Sequence, residues 1–330
     1  MRPILYKTAV LLLIAAPVFA TSVTSLGDIV ASAQTNSIPG DPFDGKLLVF
    51  DSSGALRGDL LTVSNAVFAH PTFIPGTSDM YVARSAIGTG PGAYVLRLTA
   101  SGTVVWSSQF FPSNPSGISI AASGAFYVSE SLAPYILRFD SIGNYLGNFT
   151  INGAAEAIDL AADQCTLYYV ANRELGQLNV CTGQLLQPLA TLPSFSGDVR
   201  VLPDGTILVS SAGSLLQFSS IGSLLRTYAT RAGSIALAAE PGFLWTINRG
   251  GPAFSNYLLS KIDLRSDTVA AGPFVVGGDQ IGETAVRTLG VYGEPRAAVV
   301  SSIPTMSEWT LIALAVSLSI VAILRLRNAA

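Results

Sequence analysis

An all-β, six-bladed β-propeller closed by its own terminal strands is the fold this sequence predicts. Three observations predict it. A short hairpin pattern recurs six times. A strand–turn–strand pattern precedes it in four of those units. Charged residues make up only 12% of the chain, against about 25% in ordinary soluble domains, while 31 glycines are available for turns.

The hairpin pattern is aliphatic, polar, aliphatic, polar, then a Gly or Asp turn. It occupies residues 48–54, 96–102, 137–143, 177–183, 216–222 and 260–267. Its central apolar residues are Phe50, Leu98, Phe139, Leu178, Phe218 and Ile262, in steps of 48, 41, 39, 40 and 44. Four short strands with their turns fill a period of that size, the length of one propeller blade.

The preceding element covers residues 117–128, 157–169, 198–209 and 234–245. Pro203-Asp204-Gly205 and Glu240-Pro241-Gly242 supply its tight turns. Complete units then run over about 70–110, 114–150, 155–192, 197–230 and 234–274. An outer hairpin at 46–61 and an inner strand at 286–292 are left over. Joined, they make a sixth blade, and the joint hides two sheet edges. The propeller therefore spans 45–298, after an N-terminal linker at 21–44.

These repeats resemble the NHL/SMP-30/streptogramin-lyase-like group of propellers over residues 46–298. Residues 163–169 with 179–183 resemble an element that recurs in secreted bacterial members. Repeats of this kind specify blades and leave the chemistry open.

Both ends carry addresses. Arg2 and Lys7 precede an apolar run at 10–16, and Val18-Phe19-Ala20 fits a signal peptidase site, so residues 1–20 read as a signal peptide cut after Ala20. At the other end, residues 299–330 form a three-part tail. Ile303-Pro304-Thr305-Met306-Ser307-Glu308-Trp309 is followed by an apolar run at 311–324 and a basic stop, Arg325 and Arg327. The tail resembles the IPTL-type, PEP-CTERM-like sorting signals read by exosortases, with Met306 where the motif has Leu. The expected membrane segment is 309–324. Its apolar run of 14 residues spans about 21 Å, short of a hydrocarbon core of about 30 Å, which suits a temporary anchor. The basic stop stays cytoplasmic by the positive-inside rule. The propeller is then exported, briefly membrane-anchored, and released to the cell surface or medium.

Removing both address segments takes the formal charge from −3 to −6, with no basic run. Nucleic-acid binding needs a basic footprint, so it is not expected. Cys165 and Cys181 flank a hairpin centred near residue 173, which sets them opposite each other at disulfide range. Two cysteines without a nearby histidine give too few ligands for a zinc site.

Candidate chemistry is sparse. His70, the single histidine, precedes Pro71 near an inner-strand start at the channel mouth. Asn114, Glu156, Asp198 and Glu283 lie near other inner-strand starts and are the candidate oxygen ligands for Ca²⁺. Asp159 and Arg200 hold equivalent inner-strand positions and read as a structural charge pair. The resemblance implies a channel metal on Glu, Asn and Asp for lactonase-type members, and a histidine with acids for lyase-type members. Gly117, Ala157 and Ser234 fill several facing positions, so too few carboxylates converge. The expectation is no cofactor and no catalytic residue. The chain reads as a binding or scaffold module for a matrix polysaccharide or surface protein, with a channel-site enzyme as the alternative.

Overall fold

A computed structural model describes residues 21–35, 44–86, 93–108, 114–194, 196–250, 256–277 and 283–295. The expected signal peptide and sorting tail fall outside the described residues. Within them the chain forms six antiparallel sheets arranged as a six-bladed propeller. Blade 1 runs Ala66–Phe73, Met80–Ala86, Tyr94–Leu98 and Val104–Ser107, from the axis outward. Blade 2 runs Pro115–Ile120, Phe126–Glu130, Tyr135–Phe139 and Tyr145–Thr150. Blade 3 runs Ala157–Leu160, Thr166–Ala171 and Glu174–Asn179, and its broken outer edge is Gln184–Leu185 with Ala190–Thr191. Blade 4 runs Ser196–Val201, Ile207–Ser211, Ser214–Phe218 and Leu224–Arg231. Blade 5 runs Ser234–Leu237, Phe243–Gly250, Asn256–Asp263 and Thr268–Gly277.

Blade 6 closes the ring. Its inner strand is the C-terminal Glu283–Val291, followed outward by Ile29–Thr35, Asp44–Phe50 and Leu56–Ser64. The expected joint between N- and C-terminal strands is present, with one correction. Ile29–Thr35 falls inside the segment read as a linker, yet it is a strand buried along its whole length. It pairs with Asp44–Phe50 on one side and Glu283–Val291 on the other. Both faces of the blade are covered there, so Ser32, Gln34 and Thr35 are buried too and no alternating pattern marks the strand.

The repeat's central apolar residues all lie on third strands and all are buried: Phe50, Leu98, Phe139, Leu178, Phe218 and Ile262. Packing occurs between blades. Each of six apolar clusters spans two neighbouring blades, as Tyr81 with Phe126 does for blades 1 and 2, and Trp245 with Phe50 for blades 5 and 6. Each fully buried side chain of this size contributes about 1.5–3 kcal/mol, so the ring is held sheet against sheet. Near the axis the inner strands approach closely. A Cβ on Gly117 would sit 2.8 Å from Ile158 N and 2.9 Å from Ala157 Cα in the next blade, so only glycine fits there.

The disulfide joins Cys165 and Cys181, with Cα atoms 5.2 Å apart. The hairpin between them turns at Asn172-Arg173, both at positive φ (51° and 79°), the two-residue turn whose twist matches its strands. Thr166 pairs with Asn179. Cys165 therefore aligns with Val180, whose N–H donates to Cys165 O at 2.8 Å. The bridge runs to the next residue, one position from the directly opposed arrangement expected of a turn centred on 173.

Candidate functional site

Strand register defines the channel wall. Thr72, Ser119, Asp159, Arg200, Ala236 and Gly290 pair with Tyr81, Tyr127, Tyr168, Leu208, Trp245 and Val30 on the second strands. They form one layer of the inner ring, a position contributed by each blade in turn. Most of these side chains are small or polar, and they stitch blades together.

All six blade junctions are crossed near the axis by a side chain bonding to the backbone of the neighbouring blade. His70 N donates to Thr288 Oγ1 at 2.6 Å. Thr72 Oγ1 donates to Ile118 O at 3.2 Å, and Ser116 Oγ to Ala155 O at 2.8 Å. Val201 N donates to Asp159 Oδ2 at 2.8 Å. Ile235 N donates to Asp198 Oδ2 at 3.0 Å, and Leu237 N to Glu294 Oε1 at 2.8 Å. Buried polar groups that are satisfied in this way rigidify the ring they join.

Arg200 is the hub. Its Nη1 donates to Asp198 Oδ1 and to Val199 O, each at 2.8 Å, and its Nε to Glu294 Oε1 at 3.2 Å. Burial works against its charge, but the Asp198, Glu294 and Asp159 carboxylates outweigh burial and raise its pKa above the ordinary value. The expected Asp159–Arg200 pair is thus corrected. Arg200 pairs with Asp198 and Glu294, while Asp159 accepts from Ser119 Oγ (3.3 Å) and from the Leu160 and Val201 backbone. The reason is register: Asp198 stands two residues back on Arg200's own strand, on the same face. Glu294, just past the last strand, was not singled out in the sequence because no repeat element contains it.

Asp198 is fully buried, and Ser234 Oγ donates to it at 2.9 Å. Its oxygens are therefore committed to Arg200, Ser234 and two backbone N–H groups. Glu156 is exposed, at the opposite end of the channel, where Asn114 O accepts from Ser131 N. The Glu283 side chain lies outside the described ones. Asn114, Glu156 and Asp198 are not brought together, and no cluster of three His, Cys, Asp or Glu able to hold a metal occurs among the described residues.

His70 sits inside its strand and not at a mouth. It is 5% exposed, at an irregularity in the pairing of Ala66–Phe73, with φ 46°. Burial lowers its pKa from 6.5 to about 4. Asp198 opposes that shift and Arg200 adds to it. The imidazole is neutral at pH 7.

A cavity of about 200 Å³ opens at the end of the channel where the inner strands finish. Thr72, Ser119, Asp159, Arg200, Gln164 and Glu294 supply its polar wall, beside Pro75, Ile120 and Pro295. Gln164 reaches it from blade 3 and accepts from Ala122 N of blade 2 at 2.7 Å. It adjoins Cys165, so the disulfide fixes the turn that carries it.

No protein-family model matches the chain, and no curated protein does. Solved structures do match. One is a protein of unknown function from Bacteroides caccae, with TM-score 0.60 and 14% identity over 82% of this chain and 100% of that one. A second is a chain from a nidogen/laminin complex, with TM-score 0.60 and 12% identity over the same shares. A third is Kuenenia stuttgartiensis hydrazine synthase, with TM-score 0.52 and 12% identity over 63% and 68%. At these identities the likeness is one of fold.

Proposed function

We propose that this chain is an exported β-propeller that acts as a binding or scaffold module, recognising a matrix polysaccharide or surface protein through its mouth face. One observation carries the reading. The charged groups of the channel are spent on each other and on the backbone: Arg200 on Asp198 and Glu294, and Asp159 on Val201 N. That wiring suits a rigid frame around a recognition pocket, because turnover needs a poised base within reach of a nucleophile or substrate. Loops on such a scaffold supply recognition. One of the similar folds comes from a nidogen/laminin complex, so a propeller of this fold occurs in a protein–protein complex. Residues 1–20 and 299–330 supply export and sorting, with signal peptidase and an exosortase-type protease as the processing partners.

The test uses residues 21–302 in two assays. Retention on isolated matrix polysaccharide or surface protein is expected. A lactone and ester hydrolysis screen with added Ca²⁺ or Zn²⁺ is expected to stay silent. Hydrolysis that disappears in Glu156→Ala or Asp198→Ala would replace the binding reading with the enzyme.

A further inference from the structure

A second concavity lies on the mouth face, at the rim junction of blades 1 and 2. It holds about 360 Å³ and is lined by Asp79, Tyr81, Arg97, Val105, Trp106 and Ile142. Its polar floor is an ion pair, with Arg97 Nη2 2.9 Å from Asp79 Oδ2 and the side chains 36% and 25% exposed. Arg97 Nε is buried and has no hydrogen-bond partner. Tyr81 is 2% exposed. Its ring stacks on Phe126 at 4.3 Å and meets the edge of Trp106 at 5.9 Å. Its hydroxyl makes no hydrogen bond among the described residues, although Arg97, Asp79 and Asp140 are close enough to act on it electrostatically. The walls are apolar and open to solvent, with Val105 54% and Ile142 74% exposed.

The equivalent groove between blades 4 and 5 differs: Leu208 stands at the register position of Tyr81, and the phenol there, Tyr228, comes from the fourth strand. There Gln217 holds the register position of Arg97, each one residue before the central apolar residue of its third strand. Gln217 Nε2 donates to Thr206 Oγ1 at 2.9 Å, and its Oε1 accepts from Tyr228 OH at 2.8 Å. Gln217 and Tyr228 thus satisfy each other there. The groove of blades 1 and 2 leaves the buried Arg97 Nε–H unmet, and native proteins leave few such groups without a reason.

A ligand that fits must accept from the exposed part of the Arg97 guanidinium, exchange a hydrogen bond with Tyr81 and lay apolar surface on Ile142 and Val105. The Arg97–Asp79 pair is neutral and Asp140 adds negative charge, so an anion gains nothing. A sugar ring has the matching pattern, with hydroxyls that both donate and accept and a C–H face. We propose that this groove binds a neutral pyranose unit of a polysaccharide. The inference rests on the binding reading above and gives its polysaccharide a site apart from the channel mouth. The volume lies at the small end of ligand sites, about 300–1,000 Å³, as one sugar ring requires.

The experiment is affinity electrophoresis of the full chain in mild detergent. The native gels are cast with hydroxyethyl cellulose, laminarin, galactomannan or polygalacturonate. Retardation by at least one neutral polymer is expected. A tenfold or larger loss of affinity is expected in both Arg97→Gln and Ile142→Asp. Ile142 is a rim residue, so the melting temperature of Ile142→Asp should stay at the parent value. Glu156→Ala, at the opposite end of the channel, should bind as the parent does. Any of four results overturns the proposal: no retardation in a neutral gel, retardation that survives both groove variants, preference for polygalacturonate, or loss in Gln164→Ala, at the channel mouth, with binding kept in both groove variants. The last would leave the mouth reading standing while removing the groove from it.

Discussion

Arg200 Nη1 lies 2.8 Å from Asp198 Oδ1, two residues back along the same inner strand, and both side chains are at least nine-tenths buried. Asp198 also holds Ser234 and Ile235 of blade 5, while Arg200 reaches Glu294 of blade 6. One pair thus ties three blades. Removing one partner of a buried pair costs about 3–5 kcal/mol, because the other is left uncompensated. Asp198→Ala should therefore lower the melting temperature by roughly 10 °C, at about 2–4 °C per kcal/mol for a domain of this size. Thermal unfolding read by circular dichroism checks this. A shift under about 2 °C would mean the pair is not a hub.

His70 makes stability depend on pH. Its folded pKa is about 4 against 6.5 when free. Between those values the unfolded chain binds the proton and the folded chain does not, so stability falls as pH drops from 6.5 towards 4. The full effect is on the order of 3 kcal/mol at 1.36 kcal/mol per pKa unit. Asn tolerates the positive φ at this position better than most residues. His70→Asn should therefore fold and show a flatter denaturant midpoint over pH 4–6.5. Parallel profiles for parent and variant would contradict the shift.

The Cys165–Cys181 bridge closes a short loop, and loop closure of that length is worth about 3 kcal/mol by the chain-entropy estimate. Reduction, or the double change to Ser, should lower the denaturant midpoint accordingly. It should also speed hydrogen exchange at Ala122 N, which donates to Gln164 beside the bridge. Exchange at Ala122 that is unaltered by reduction would show that the bridge does not brace the mouth.

Processing gives a further expectation. Intact-mass analysis of surface-exposed protein should show loss of residues 1–20 and a second cut near Ile303–Trp309. Retention of residues 311–330 on such protein would point to a permanent anchor and against sorting.

Much of the fold was legible because one position per blade, the third-strand apolar residue, repeats in spacing and in chemistry from Phe50 to Ile262. The strand Ile29–Thr35 was not legible. It is buried on both faces, lacks the turn signature of the other blades, and meets its inner partner, Glu283–Val291, near the far end of the propeller sequence. The site followed the same division. Asp198, Asp159 and Arg200 could be placed on inner strands from the repeat, but their wiring could not. It depends on Glu294 and on which face each residue takes across a blade junction. His70 was placed at the channel mouth because Pro71 suggested a strand start, whereas the pairing irregularity holds both residues within the strand.

The central claim is that one face of this disc binds. It is tested most directly by the binding isotherm of residues 21–302 on isolated extracellular matrix, measured for two surface variants. Gln164→Ala combined with Ile142→Asp alters the mouth face, and Glu156→Ala alters the opposite one. The account predicts saturable binding by the parent, kept in Glu156→Ala and weakened at least tenfold in the double variant. Equal binding by both variants, or no binding by the parent, would contradict it.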